Sequence, residues 1–322
     1  MHPGELIGAL QGISFRFRTD WEELHRYAQL HLAPLLESGR GQEAAVEVRV
    51  TSVLHWVSGQ PWPRARWGRA TAEWPRVDRD LYVNERELLW FRVDDLRDLV
   101  LHLQAQEDGS LSLDGTFFFR LGNRALTDYL RRRWLGRRVH DFERRRFPTL
   151  LSYMVYYPLW WRGEVDFGRH PIHAAAVATP HGAVLLAGAS GVGKSTISTA
   201  LAAQNGNKLL SDSFVLLEGS KVLAVPEPIL LDRPALRWLG ARTEILCPID
   251  HRYMLERVGH HVVPAKLQLE ASPALLVFPR RGSQWRSRQM SSQEAWSRLS
   301  AANLMVNDLR RYYALAATWE QL

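Results

Sequence analysis

The clearest chemistry in this 322-residue chain lies in GASGVGKS, from Gly188 to Ser195. Its glycines, lysine and serine match the full phosphate-binding loop pattern, and the loop follows the apolar run AVLLAG. Glycines let backbone amides turn around a phosphate, Lys194 brings a charge to the phosphate oxygens, and Ser195 offers a hydroxyl to Mg²⁺. We therefore expect nucleotide binding. The residues expected to form the site are Gly188, Ala189, Ser190, Gly191, Val192, Gly193, Lys194, Ser195 and Thr196.

Asp212 follows the loop at a distance that can bring it back to the phosphates. It comes 18 positions after Lys194, earlier than the magnesium-associated acid of ordinary P-loop proteins. A helix of about 11 residues travels ~16 Å from the loop, and a strand of about five residues returns ~16 Å. We expect Asp212 beside the γ-phosphate, as a Mg²⁺ neighbour and a catalytic base. A solvated turn residue is the alternative.

His173 begins a run, HAAAVATPHGAVLLAG, that is typical of a β-hairpin leading into the loop. A turn centred on His181 places His173 opposite about Ala189, and small residues after it let neighbouring elements approach closely. His173 and Asp212 would then flank one phosphate. Asp212 would accept the proton of an attacking hydroxyl, and His173 would orient that hydroxyl or stabilise charge. A structural histidine at a strand end is the alternative.

The stretches IHAAAV, VLLAGASGVGKSTISTAL and LLSDSFVLL together resemble the catalytic domain of the HPr kinase/phosphorylase family, whose relatives include lasso-peptide precursor kinases. In that family a histidine precedes the loop, as His173 does, and the loop lysine and serine match Lys194 and Ser195. The catalytic first member of an Asp-Asp pair matches Asp212. The resemblance covers 170–218 and extends less specifically towards 285. It implies a fold akin to phosphoenolpyruvate carboxykinase, ATP and Mg²⁺ as cofactors, and a homo-oligomer.

The chain departs from that family at two places. Ser213 stands where the second aspartate would be, and RPALRWLGAR replaces the glutamate-rich signature. These differences put in doubt both the reverse phosphorylase activity and HPr as the substrate. Glu227 is a candidate second acid. Arg280 and Arg281 follow the strand-like PALLVFP and could face phosphates or an acidic substrate, or simply belong to a charged loop.

The sequence pattern predicts an N-terminal α+β domain, 1–165, for substrate recognition or assembly, and a C-terminal α/β P-loop kinase domain, 166–322. Hydrophobic periodicity gives helices and strands for both. In the first domain we expect strands at 13–18 and 44–57, helices at 21–36, 123–135 and 147–162, and hairpins at 80–93 and 110–122 that turn at Asn84-Glu85 and Asp114-Gly115. In the second we expect a helix over 194–204, strands over 208–212, 214–219 and 222–227, and a final helix from a Ser291 or Ser292 cap.

An arginine-rich run, RRRWLGRRVHDFERRRF, occupies 131–147. It could dock an acidic peptide or nucleic acid. The simpler interpretation is a solvated helix face whose arginine stems cover tryptophans. No nucleic-acid-binding motif accompanies it, so a nucleic-acid partner is not favoured.

The composition is that of a globular cytoplasmic protein. The net charge is +7, which favours anionic partners, and the single cysteine, Cys247, rules out an internal disulfide. The N-terminus lacks the pattern of a signal peptide, and the longest apolar run, 150–161, is shorter than the ~18–20 residues that span a bilayer.

Taken together, these residues predict an ATP- and Mg²⁺-dependent kinase that phosphorylates a hydroxyl, most simply a serine of a peptide or small protein. Two alternatives stay open. One is a kinase for a sugar or other small metabolite, and the other is a nucleotide-binding regulatory protein in which Ser213 marks a lapsed catalytic site. A nucleic-acid-dependent ATPase is disfavoured because no sensor or arginine-finger pattern is recognisable.

Overall fold

The computed structural model describes residues 4–39, 48–58, 67–78, 80–93, 96–119, 146–248, 258–262, 267–284 and 286–320. The chain is a mixed α/β protein that divides into two compact units. The first unit is Met1–Trp161 with Ala314–Leu322, and the second is Arg162–Tyr313. The arginine-rich run and the helix expected at 123–135 lie outside the described residues, apart from Arg146 and Phe147.

The first unit contains an eight-stranded sheet with the order β1-β2-β3-β8-β7-β6-β5-β4. Parallel pairs join β2 to β3 and β3 to β8, while the other neighbours are antiparallel. The strands are β1 (Leu6–Leu10), β2 (Ile13–Thr19), β3 (Val50–Ser58), β4 (Arg76–Asp78), β5 (Leu81–Val83), β6 (Glu87–Val93), β7 (Leu96–Ala105) and β8 (Leu111–Phe119).

An aromatic cluster in the first unit contains the fully buried Phe147 and the half-buried Trp21 and Trp56. Trp21 and Trp56 stack with their ring centroids 3.6 Å apart, and Phe147 meets Trp21 edge-on at 4.7 Å. Such pairs add to the large apolar area that each ring buries. The helices are α1 (Glu22–His31), α2 (Ala33–Gly39), α3 (Gly68–Glu73), α4 (Phe147–Leu151) and α5 (Tyr157–Phe167), with a π-helical turn, Ser152–Tyr156, joining the last two. Residues 162–167 of α5 belong to the second unit.

Two of the sequence predictions for this unit are wrong. The helix expected over 21–36 is two helices that meet at Leu32, because Pro34 fits only a first helical turn. Asp114-Gly115 is not a turn but lies within β8, paired with β7. A Cβ on Gly115 would lie 2.7 Å from Sδ of Met154, so this glycine permits close packing. The hairpin at Asn84-Glu85 is confirmed.

The larger sheet of the second unit has the order β17-β13-β12-β9-β10-β18, and β11 also pairs with β9. Among the described strands of this sheet, β10 and β18 pair in parallel and the other strand pairs are antiparallel, so the sheet is mixed. Its strands are β9 (His170–Thr179), β10 (Gly182–Ala187), β11 (Lys208–Ser211), β12 (Phe214–Glu218), β13 (Lys221–Ala224), β17 (Glu270–Ala271) and β18 (Pro273–Val277). A small sheet, β14-β16-β15, contains β14 (Ile229–Asp232), β15 (Cys247–Pro248) and β16 (Val258–Val262).

Helices of the second unit pack on this sheet. They are α6 (Lys194–Ala202), α7 (Arg233–Leu239) with a 3₁₀ turn, Gly240–Ile245, then α8 (Ser292–Leu304) and α9 (Asn307–Trp319), which continues into the first unit. The final helix predicted from the sequence is therefore broken at 305–306. Its expected cap is confirmed, since the amide of Glu294 donates to Oγ of Ser291 at 3.2 Å. Among the described residues, no helix is long and apolar enough to cross a membrane.

β9 is the central strand of the second unit. Its residues Ala174, Ala175 and Ala176 are completely buried. Along one edge β9 pairs with β10 from Ala174 to Thr179. Along the other edge it pairs first with β12 and then with β11, so that edge forks between His173 and Ala176. The small side chains leave space for the connections that meet at this level of the sheet.

Candidate functional site

The loop between β10 and α6 has the backbone that a phosphate-binding loop requires. Gly191 and Gly193 have φ of +79° and +100°, in the left-handed region that other residues rarely adopt. Gly193 caps α6, whose first amides receive no bond from a capping side chain. These amides and the helix dipole therefore offer an anion a positive helix terminus.

Lys194 is held at the inner side of this loop. Its side chain is buried, and Nζ donates to the carbonyl oxygens of Gly188 at 2.9 Å and Ala189 at 3.1 Å. Burial lowers the pKa of Lys194, and the nearby charge of Asp212 partly opposes that shift. The loop backbone thus fixes the position of the ammonium group.

Asp212 lies in the fork of β9, on the short connection between β11 and β12. It is 2% exposed, and its carboxylate accepts a hydrogen bond from Oγ of Ser198 at 3.4 Å, with the Ser195 side chain and the Leu230 backbone as further polar neighbours. Burial raises the pKa of Asp212 to about 6, although these donors and Lys194 favour the charged form. A carboxylate with this pKa can accept a proton near neutral pH more readily than an ordinary aspartate.

A buried serine fixes the approach of Asp212 to the site. Oγ of Ser211 accepts a hydrogen bond from the amide of Val225 at 2.7 Å and donates to its carbonyl oxygen at 3.1 Å. This pair of bonds ties the end of β11 to the segment that leads to Glu227 and β14. Nothing in the sequence motif pointed to Ser211, since serine is common in turns.

His173 lies on β9 at the same level as the loop and the fork. The register predicted from the sequence is wrong by one residue: Gly182 pairs with Thr179, so the hairpin's register projects His173 opposite Gly188 rather than Ala189. The reason is a tight turn in which only Pro180 and His181 stand between the paired residues. On the other edge His173 pairs with Phe214 and contacts its ring edge-on at 5.2 Å.

The imidazole of His173 is neutral at physiological pH. Burial and the charge of Lys194 lower its pKa to about 4, with the backbone of Ser213 partly opposing the shift. Its backbone amide donates to Oδ1 of Asn303 at 2.8 Å, which ties β9 to α8. A neutral ring can accept or donate a hydrogen bond, so the orienting role suits it better than charge stabilisation.

Two further acids belong to this region. Glu227 has its pKa raised to about 8, first by burial and then by the charges of Asp308 and Asp212. Asp308 lies in the first turn of α9 and is also bonded to Arg311 at 3.2 Å. Sequence reasoning named Glu227 but missed Asp308 and Asn303, because both come from C-terminal helices that carry no motif.

Arg280 and Arg281 follow β18 and are exposed. β18 is parallel to β10, with Val277 opposite Leu186, so both strands end at the same edge of the sheet. A Cβ on Gly188 would lie 4.0 Å from the carbonyl oxygen of Pro279. The backbone therefore brings the two arginines next to the loop.

The donor groups fit the cofactors that the motif implies. Ser195 and Asp212 provide neighbouring oxygen donors, which suit a hard cation such as Mg²⁺ when phosphate oxygens complete its shell. The loop amides and Lys194 suit a polyphosphate. In the described part of the chain, no group of three or more His, Cys, Asp or Glu side chains is arranged to hold a metal by itself.

The chain matches no known protein-family model and no curated protein.

Proposed function

We propose that this protein is an ATP- and Mg²⁺-dependent kinase that transfers the γ-phosphoryl group to a hydroxyl, with a serine of a peptide or small protein as the acceptor. The observation that carries the proposal is the buried carboxylate of Asp212, which accepts a hydrogen bond at 3.4 Å from Oγ of Ser198, on the helix that the loop opens. Ser195, whose hydroxyl is expected to bind the metal, lies three residues before Ser198 on that helix, and burial raises the pKa of the carboxylate to about 6. Phosphoryl transfer needs positioning, charge neutralisation and a base, and this cluster offers groups for all three.

In the proposed reaction the loop amides and Lys194 hold the β- and γ-phosphates. Mg²⁺, when bound, would neutralise charge on the phosphate oxygens. The acceptor oxygen forms a bond to the γ-phosphorus while the bond from that phosphorus to the oxygen bridging it to the β-phosphate breaks, which releases ADP. Asp212 takes the proton of the acceptor hydroxyl. His173, neutral and fixed between β12 and α8, orients that hydroxyl.

Two features favour a second candidate function. Ser213 replaces a carboxylate beside an Asp212 that is only 2% exposed. Both features would suit a nucleotide-binding regulatory protein that no longer transfers phosphate. The resemblance to HPr kinase-like proteins supports the kinase instead.

An acceptor screen tests the proposal. The chain is incubated with ATP and Mg²⁺ together with serine-containing peptides in one series and sugars or other hydroxyl metabolites in another, and mass spectrometry detects the phosphorylated product. A phosphopeptide formed by wild type supports the proposal. A phosphorylated small molecule alone would favour a metabolite kinase, and measured ATP binding without any product would favour the regulatory protein.

A further inference from the structure

β18 forms an unpaired edge of the larger sheet in the second unit. It pairs with β10 on one side, and among the described strands none pairs with its other side. An edge strand presents alternate backbone N–H and C=O groups to its surroundings. Such an edge can bind an extended polypeptide as an added strand.

The beginning of β18 is also apolar and exposed. Pro273, Ala274 and Leu275 are all exposed, and Leu275 is 55% exposed. Leu276, on the opposite face, packs against the buried core of the unit and anchors the strand. Proteins usually protect such edges with charges or with a covering element. The five residues of β18 include no charged side chain.

The direction of β18 connects this edge to the proposed reaction. The strand runs parallel to β10 and ends near the loop, where the carbonyl oxygen of Pro279 approaches Gly188. Five residues of an added strand would extend ~16 Å along this edge. A hydroxyl side chain just beyond the paired segment would therefore arrive at the loop.

Charge indicates which kind of polypeptide would fit. The sequence 271–293 contains Arg280, Arg281, Arg286 and Arg288 and no aspartate or glutamate. Arg280 and Arg281, at the loop end of the strand, are exposed. Glu294 pairs with Arg288, which leaves the basic character of the loop end unchanged. Acidic residues near the acceptor hydroxyl would complement the two arginines.

We propose that β18 is the docking strand for the acceptor of the kinase: an extended segment, apolar where it crosses Leu275 and acidic near Arg280 and Arg281, that pairs with the free edge and carries its serine to the loop. This inference rests on the proposed function, because it names the substrate class and binding mode of the same site. A second copy of the chain is the competing occupant of this edge.

The test measures binding of a labelled synthetic peptide to the full chain by fluorescence anisotropy, without nucleotide. The probe is about ten residues long, alternates valine and glutamate, and ends in serine, so it can pair along the whole of β18. We expect Leu275→Asp to weaken binding at least about tenfold, through repulsion and loss of apolar contact. Leu269→Asp is the matched control, since Leu269 is 47% exposed and precedes β17 at the other end of the sheet.

Backbone methylation of the probe separates strand pairing from general attraction. Two peptides carry N-methyl groups at alternate positions, one set shifted by a residue from the other. We expect one set to abolish binding and the other to be tolerated, because only one edge of an added strand faces β18. Equal tolerance of both sets, or equal effects of Leu275→Asp and Leu269→Asp, would overturn the proposal. So would sedimentation showing a dimer that Leu275→Asp converts to a monomer.

Failure of this inference is distinguishable from failure of the proposed function. The anisotropy measurement needs no ATP, so it reports on the edge alone. If the chain phosphorylates a peptide and Leu275→Asp leaves the KM for that peptide unchanged, the docking strand is wrong and the kinase stands. If the probe binds at β18 but no acceptor is phosphorylated, the edge stands and the kinase is wrong.

Discussion

Asp212 carries a charge that its surroundings disfavour. Its folded pKa of about 6 exceeds the ordinary value of 3.8, so the folded state binds a proton more readily than the unfolded chain. Ionised Asp212 therefore destabilises the fold fully above pH 6, and this destabilisation fades as the pH falls towards 3.8. A buried carboxylate with a raised pKa lowers stability, and such groups are found mostly at functional sites.

The first prediction is that Asp212→Asn stabilises the protein at pH 7. Removing a buried charge should raise the free energy of unfolding by about 1–3 kcal/mol, and the gain should shrink below pH 6 as the wild-type carboxyl protonates. Denaturant unfolding at several pH values measures it. Glu85→Gln, at an exposed turn, is the control and should change little. A loss of stability in Asp212→Asn at pH 7 would contradict this account of the site.

The second prediction concerns the pH dependence of activity. kcat/KM for ATP should rise as the pH increases through about 6, because Asp212 ionises, and fall above about 8, because ionised Glu227 repels the phosphates. Glu227→Gln should remove the upper decline and keep the lower rise. A profile in which the upper decline survives in Glu227→Gln would show that Glu227 is not its cause.

At the scale of elements, the loop between β10 and α6 needs glycine at position 193 because of its backbone conformation, not because a side chain would clash. A Cβ on Gly193 would meet nothing within 4 Å, but φ is +100° there, so any side chain is strained. The third prediction is that Gly193→Ala lowers the free energy of unfolding by about 1–2 kcal/mol and weakens ATP binding. Gly68→Ala is the matched control, since Gly68 also has open space but no positive φ. Calorimetric unfolding and titration with ATP measure both effects.

Local sequence patterns predicted some of the helices and strands correctly and failed for others. Apolar alternation was enough to predict β2, short apolar runs predicted β9 and β10, and the phosphate-loop motif predicted the helix that follows it. Local pattern failed at Gly115, where a glycine serves packing against Met154 and nothing local distinguishes that use from a turn. The predicted hairpin register was wrong by one residue. The number of residues in the turn sets this register, and the strand sequences do not reveal that number.

Prediction of the candidate site also succeeded only for residues that lie close together in the sequence. Lys194, Ser195 and Asp212 were predictable because a loop, a short helix and a short strand fix their separation along the chain. Asn303 and Asp308 were not, since they reach the region from helices about a hundred residues further on in sequence, through tertiary packing alone.

At the scale of the whole molecule, every residue of the proposed phosphate site belongs to one unit, Arg162–Tyr313. The other unit includes the C-terminal residues from Ala314, and there Trp319 is buried and meets Trp161 edge-on with ring centroids 5.2 Å apart. We therefore expect mutations in the first unit to change its stability without changing the chemistry of the second unit.

The fourth prediction follows from that separation. Trp319→Ala should cost about 3–5 kcal/mol of stability through the cavity it leaves, while ATP affinity of the folded protein stays unchanged. Trp296→Ala is the control, because Trp296 is 68% exposed and should matter little to stability. Thermal unfolding and ATP titration well below the transition measure the two quantities. A parallel loss of ATP affinity in Trp319→Ala would show that the phosphate site depends on the first unit.

The most direct test of the central claim is transfer of label from γ-labelled ATP to an acid-stable phosphoester, compared between wild type, Asp212→Asn and Lys194→Ala. Wild type should transfer label, Asp212→Asn should still bind ATP but transfer about 10²–10⁴-fold more slowly, and Lys194→Ala should bind ATP weakly. If Asp212→Asn transfers label as fast as wild type, Asp212 is not the base and the account of the site is wrong.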